Sequence, residues 1–206
     1  MEKISTNQTL LAASILARGF VDDPMWKFIL PRSQNRLEIL AAMFEVFVDD
    51  GIKRGEVLLA SQERGAVIWY PAEVNVFDEA FVDVEAKINT IAADFNEFGA
   101  IKRLEQIGKK VQPIAPAIPH HEIFWLATIP EFRGQGIGSG LLKLILDDAD
   151  AQKAGCYLVS SNPNNILFYK ARGFQQYSLI SINSKLTLIA MWRGSYPSNF
   201  TLITNN

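Results

Sequence analysis

The chain has 206 residues, is 49% hydrophobic, carries a net charge of −2 at pH 7 and contains one cysteine. That length and composition suit a single globular domain with a sizeable core, and the weakly acidic balance offers no basic field for nucleic acid. Cys156 alone excludes an internal disulfide, and no apolar run approaches the roughly 20 residues needed to cross a bilayer, so the expectation is a cytoplasmic monomer or homodimer with neither a nucleic-acid nor a membrane partner.

The elements alternate in an α/β manner. Glu2 beside Lys3, and the short apolar run Thr9 to Ala17 with no small-residue cleavage site, read as an amphipathic first helix rather than a signal peptide. Leu10, Leu11, Ile15 and Leu16 give that helix an apolar face, ending near Gly19. Ser33 is placed to cap a second helix through Leu37, Leu40, Ala41, Phe44, Val48 and Ile52, closed by Gly51 or Gly55. Glu56 to Ser61 and Ala66 to Tyr70 predict a hairpin turned by the polar residues 62–65. An insertion from Pro71 to Pro119 is mainly helical in pattern and ends in Pro113, Pro116 and Pro119. Strand Ile123 to Ile129, a helix along Ile137, Leu141, Ile145 and Ala149, and strand Tyr157 to Ser160 follow. A helix over 164–172 and strands near Gln175–Ile182 and Leu186–Trp192 complete the order. Cys156 sits in an apolar strand and reads as a small buried residue, not a reactive thiol.

The most informative stretch joins the central strand to the following helix: Pro130-Glu131-Phe132-Arg133-Gly134-Gln135-Gly136-Ile137-Gly138-Ser139-Gly140. A glycine-rich loop opening a helix turns unpaired N–H groups and the positive end of the helix dipole toward an anion, and Arg133 adds charge. Two nucleotide patterns fail. No Gly-Lys-Ser/Thr follows the loop, and G-x-G-x-x-G would need glycine at Ser139 or Leu141, with an acid near the next strand, which ends in serines. What remains is Arg-x-x-Gly-x-Gly at Arg133, Gly136 and Gly138, and a second block, Asn162-Pro163-Asn164-Asn165-Ile166-Leu167-Phe168-Tyr169-Lys170-Ala171-Arg172-Gly173-Phe174.

Together these resemble the GNAT superfamily of acyl-CoA N-acyltransferases, closely over about residues 119 to 192. Phe20-Val21-Asp22-Asp23-Pro24, Trp26, Pro31, Gly65 to Trp69 and Met191-Trp192-Arg193 extend the likeness toward the puromycin N-acetyltransferase branch. The resemblance implies one domain over residues 1–206, with a mixed, mostly antiparallel sheet splayed at the cofactor site and the 71–119 insertion above the acceptor. It implies acetyl-CoA as cofactor, its pyrophosphate on Arg133, Gly134, Gln135, Gly136, Ile137, Gly138 and Ser139. Its pantothenate arm would pair with backbone at Leu126, Ala127 and Thr128. Asn162 and Asn165 are candidate ligands of that arm, and either can instead cap a helix.

The implied chemistry is acetyl transfer to a primary amine of a small molecule within a ternary complex. Tyr169 matches the family tyrosine beside the CoA sulfur and is the candidate acid, with Phe168 the better core residue. Glu122 is the candidate base. Alternation along the strand sets residues 120, 122 and 124 against 121, 123 and 125, so either Glu122 with His120, or His121 alone, faces the acceptor. Adjacent histidines on opposite faces give no metal site. In the insertion, seven acids between residues 73 and 99 oppose Lys87 alone, interleaved with Phe77, Phe81, Phe95 and Phe98. This is either an acidic, aromatic roof that attracts a cationic amine or a solvated face over a phenylalanine core. The alternatives to the small-molecule enzyme are a protein or peptide N-acetyltransferase and a CoA-binding sensor without turnover.

Overall fold

Seven strands form one sheet in the order β1-β2-β3-β4-β5-β7-β6 in the computed structural model, which describes residues 1–32 and 34–194. The strands are β1 (Glu2–Lys3), β2 (Glu56–Leu59), β3 (Gly65–Tyr70), β4 (His120–Thr128), β5 (Gly155–Ser160), β6 (Gln175–Asn183) and β7 (Leu186–Arg193). All neighbours pair antiparallel except β4 and β5, which run parallel.

The helices cover both faces of the sheet. On one face lie α1 (Thr9–Phe20), α2 (Pro24–Ile29) and α3 (Arg36–Arg54), with the insertion helices α4 (Phe81–Asp94) and α5 (Phe98–Val111). Ile39, Leu40, Met43, Phe44, Phe47 and Val48 are buried along α3 at the spacing of one helical face, and the Gly55 N–H closes that helix on Gly51 O. Ala66, Ile68 and Tyr70 of β3 point into this core, while Val67 and Trp69 point to the other, against Leu141, Ile145 and Ala149 of α6 (Ile137–Gln152). The short α7 (Ile166–Lys170) follows β5. The cap expected at Ser33 lies outside the described residues. Cys156 is fully buried, and burial pushes its thiol up to about 12.

Two irregularities in β4 shape everything that follows. First, β4 and β5 pair only at His120–Gly155, His121–Cys156 and Glu122–Tyr157, and beyond Glu122 they part. Second, the register with β3 slips by one residue, from Ile68–Trp125 to Trp69–Ile123, leaving Phe124 as an extra residue. The expected alternation therefore fails past Ile123. Phe124 and Trp125 both pack with the α1–α3 core, while Ile123 and Leu126 pack on the α6 side. The strand begins at His120, before its apolar run, so His120, His121 and Glu122 are paired strand residues.

Candidate active site

The loop between β4 and α6 has an open backbone concavity. Gly134 and Gly136 adopt φ of +78° and +81°, which L side chains rarely take, and a Cβ at either would meet nothing within 4 Å. Gly136 is the N-cap of α6 and no side chain caps it, so the first amides of the helix are left facing the groove. Arg133 donates to Gly19 O at 2.8 Å, tying the loop to the end of α1.

This loop floors a groove of about 540 Å³. Leu126, Ala127, Thr128, Arg133, Gly134, Gly136, Ile137, Gly138, Ser139, Asn162, Asn165 and Tyr169 all line it. Gln135, also expected there, is exposed and does not. Because β5 has left β4 by this point, the β4 backbone from Ile123 to Thr128 pairs on one edge with β3 and leaves the other edge free for an extended chain. The Asn162 side chain serves as a cap, accepting from Asn164 N–H at 3.0 Å, and the residue still borders the groove.

One cation here escaped the sequence reading. Arg172 lies with its guanidinium 3.8 Å above the Phe168 ring and donates to Phe168 O at 2.6 Å and to the Ser139 hydroxyl in the first turn of α6. Phe168 is a partly buried groove wall, whereas Tyr169 is the buried member of the pair, the reverse of the expectation for Phe168.

A second cavity of about 470 Å³ lies beneath α4 and α5. Phe77 and Phe81 line it, whereas Phe95 packs on the core and Phe98 is exposed. Most insertion acids are solvated or paired, as Asp78 is with Arg54 and Glu97 with Arg32, and Glu85 alone among those seven reaches the cavity. The insertion is fastened down. Arg103 donates to Ile29 O at 2.7 Å, Gln106 to Ile182 O at 3.1 Å and Lys110 to Ser181 O at 2.6 Å.

The two cavities meet at Phe20, Asp23, Leu126, Asn165 and Tyr169, which border both. Tyr169 is buried, and burial raises its phenol well above the usual range, so it keeps its proton. Its hydroxyl bonds no protein group among the described residues. Glu122 lines the second cavity, is 7% exposed, and has its carboxyl held up by burial and partly offset by His120. His120 Nδ1 lies 2.7 Å from Ile118 O, which can only accept, so Nδ1 carries the hydrogen. His120 Nε2 and Glu122 Oε2, 3.2 Å apart, therefore share one proton between them. His121 points the other way. It is fully buried against Trp69 with Nε2 2.8 Å from Asp148, and borders neither cavity.

The geometry also picks out Asp23, which the sequence reading quoted without assigning a role. As N-cap of α2 it accepts from Met25 N–H at 2.9 Å, and Ser161 Oγ sits 2.6 Å from both of its oxygens. Desolvation raises its pKa, and its charge helps raise that of Tyr169.

Residues 94–176, from the end of α4 to the start of β6, match the family model described as an acetyltransferase (GNAT) domain. Over this stretch the chain is similar to GNAT acetyltransferase domains. The match contains the loop, both irregularities of β4 and the Tyr169 segment. Solved structures share the fold along nearly the whole length. The histone acetyltransferase HPA2 and related acetyltransferase from Corynebacterium glutamicum is similar at 20% identity with a TM-score of 0.67, covering 96% of this chain and 97% of that one. The C-terminal condensation domain of Ebony, solved with beta-alanyl-dopamine, is similar at 9% identity with a TM-score of 0.60, covering 94% and 97%. PH1933 from Pyrococcus horikoshii is similar at 11% identity with a TM-score of 0.56, covering 96% of each chain. At these identities the likeness concerns the fold, and the chemistry has to be argued from this chain's own residues.

The residues present fit coenzyme A. The glycine backbone at 134 and 136 leaves open a cradle that a larger side chain would fill, α6 presents uncapped amides, and the free β4 edge suits an amide-bearing arm.

Proposed function

We propose that the chain is an acetyl-CoA-dependent N-acetyltransferase that acetylates a primary amine of a small molecule by direct transfer in a ternary complex. The observation that carries this reading is the parting of β4 from β5 after Glu122, which lets a phosphate-binding groove and a closed-over apolar cavity meet beside one buried tyrosine. Acetyl-CoA supplies the acetyl group as a thioester. The amides of Gly134 and of residues 136–139, with Arg133 and Arg172 nearby, hold the diphosphate, and the backbone of Leu126, Ala127 and Thr128 orients the arm.

An amine attacks only when neutral, so a proton has to leave it. Glu122 accepts that proton, directly or through one water, once the His120–Glu122 pair has released the one it holds. Tyr169, kept protonated by burial, donates toward the departing sulfur, whose thiol would otherwise leave as an anion of pKa about 8.5. Asn165, on the rim shared by both cavities, is positioned to bond the arm. Helices α4 and α5 cover the acceptor side, and this roof favours a small acceptor over a peptide laid across an open groove.

Thiol release with acetyl-CoA and an amine panel tests the reading. Acetylated product and stoichiometric free CoA are expected with at least one amine. Calorimetric binding of acetyl-CoA with no turnover of any amine would replace it with the sensor reading.

A further inference from the structure

The acceptor cavity carries a charge that the fold does not neutralise. Asp23 is largely buried at the junction of groove and cavity, and no ion pair among the described residues includes it. Its partners are the backbone N–H groups of Met25 and Trp26 and the Ser161 hydroxyl, all neutral. Arg133, whose charge reaches Asp23, donates to Gly19 O rather than to the carboxylate. A buried carboxylate without a countercharge is a standing cost, recovered when a cation arrives. The rest of the wall narrows what kind of cation. Phe20, Phe47, Phe77, Phe81, Phe124 and Trp125 line the space, and ring faces attract cations as well as apolar groups. A volume of about 470 Å³ admits a ring with a short side chain and is generous for a bare alkylamine. With Glu105 paired to Lys109 at 3.9 Å, Glu85 adds its negative charge to that of Asp23, so an acceptor carrying its own carboxylate would be repelled.

We infer that the acceptor is a primary amine on an aromatic or comparably bulky apolar body lacking a carboxylate, with its ammonium recognised by Asp23 and its body lying against the rings beneath α4 and α5. This rests on the acceptor-site reading given above and names the class of molecule that site takes. Asp23 is a binding residue in this account. It meets the nitrogen next to Tyr169, where the acetyl group would be delivered, and removal of the proton stays with Glu122.

Calorimetry with 2-phenylethylammonium at pH 7 tests the inference without requiring turnover. The probe is expected to bind at least about tenfold more tightly than ethylammonium, which lacks the ring, 2-phenylethanol, which lacks the charge, and phenylalanine, which adds a carboxylate. Asp23→Asn and Asp23→Ser both keep an N-cap side chain for α2 while removing the charge, and each should weaken the probe by about tenfold or more with no loss of acetyl-CoA binding. Equal affinity for 2-phenylethanol, no binding of the probe, or binding unchanged in both variants would overturn the inference. Turnover separates the two readings. Acetylation of other amines without binding of the probe removes the acceptor class and leaves the enzyme, whereas Asp23-dependent binding of the probe with no amine acetylated supports the recognition site and removes the enzyme.

Discussion

The two cavities that meet at Tyr169 are made of different materials. The groove is built from backbone: uncapped amides of α6, two glycines at positive φ and the unpaired edge of β4. The cavity beneath α4 and α5 is built from side chains, eight of them aromatic, with charged groups at Asp23, Glu85, Glu105, Lys109 and Glu122. A backbone site recognises a constant ligand part and tolerates few sequences, because only glycine gives the needed shape. A side-chain site can change its ligand one residue at a time. Substitutions on the two sides should therefore split between acetyl-CoA parameters and amine parameters, and loss of the Tyr169 hydroxyl at the junction should move neither binding constant much.

Tyr169→Phe is the sharpest test of that junction. If its hydroxyl serves only as the proton donor, kcat should fall by about 100-fold with both KM values within about twofold, since a positioned acid contributes roughly 10²–10⁴ in rate. A variant that instead weakens acetyl-CoA binding would assign Tyr169 to the groove wall.

Glu122→Gln comes next, with an expected loss of about 30-fold in kcat/KM for the amine and little change for acetyl-CoA. The pH profile gives the sign. Burial raises the Glu122 carboxyl, so its basic form appears only above the ordinary carboxylate range, and the wild-type rate should climb as pH rises through that raised value. In the glutamine variant that limb should vanish. Stability should move the other way. A carboxyl whose folded pKa is raised above its unfolded value favours folding while protonated and opposes it once ionised, so the neutral glutamine should melt no lower than wild type at pH 7. A lower melting temperature with an unchanged pH profile would make Glu122 a structural residue.

How much of this was legible in the sequence follows the same division. The loop could be read because a chain that needs left-handed backbone at 134 and 136 writes glycine there, and Tyr169 because the separate block 162–174 resembles a motif of the family. The slip at Phe124 could not, since a bulge changes the partner strand's register while leaving the β4 sequence a plain apolar run. That slip turned Trp125 from the face expected of it into the acceptor wall. Asp23 was hidden for another reason. Its environment comes from Ser161, 138 residues away in sequence, and from a cavity roofed by α4 and α5, so nothing near Asp23 announces it. Composition likewise did not say which phenylalanines of the insertion face inward. Phe77 and Phe81 do, and Phe98 faces solvent.

On the groove side, Gly136→Val should raise the dissociation constant for CoA by about tenfold or more. A side chain there enters the cradle, and a branched residue at φ +81° adds strain of roughly 1–3 kcal/mol. The melt should stay cooperative though lower, and the amine KM should hold. Unchanged affinity for CoA would mean that the diphosphate lies elsewhere.

The smallest effect asks whether the groove is purely backbone after all. Arg172 donates to the Ser139 hydroxyl in the first turn of α6 and stacks on Phe168, so its charge sits at the positive end of a helix dipole, a place where a cation is unfavourable unless an anion is to be held there. Arg172→Gln removes the charge and keeps a donor. If the guanidinium helps to hold phosphate, affinity for CoA should drop about fivefold at low salt, and the difference should shrink as salt screens the exposed part of the interaction. Dephospho-CoA and CoA compared in both proteins would show which phosphate it meets. If affinity is unchanged and only the melting temperature falls, Arg172 is a strut for the Phe168 wall, and the groove binds its ligand through main-chain amides and Arg133.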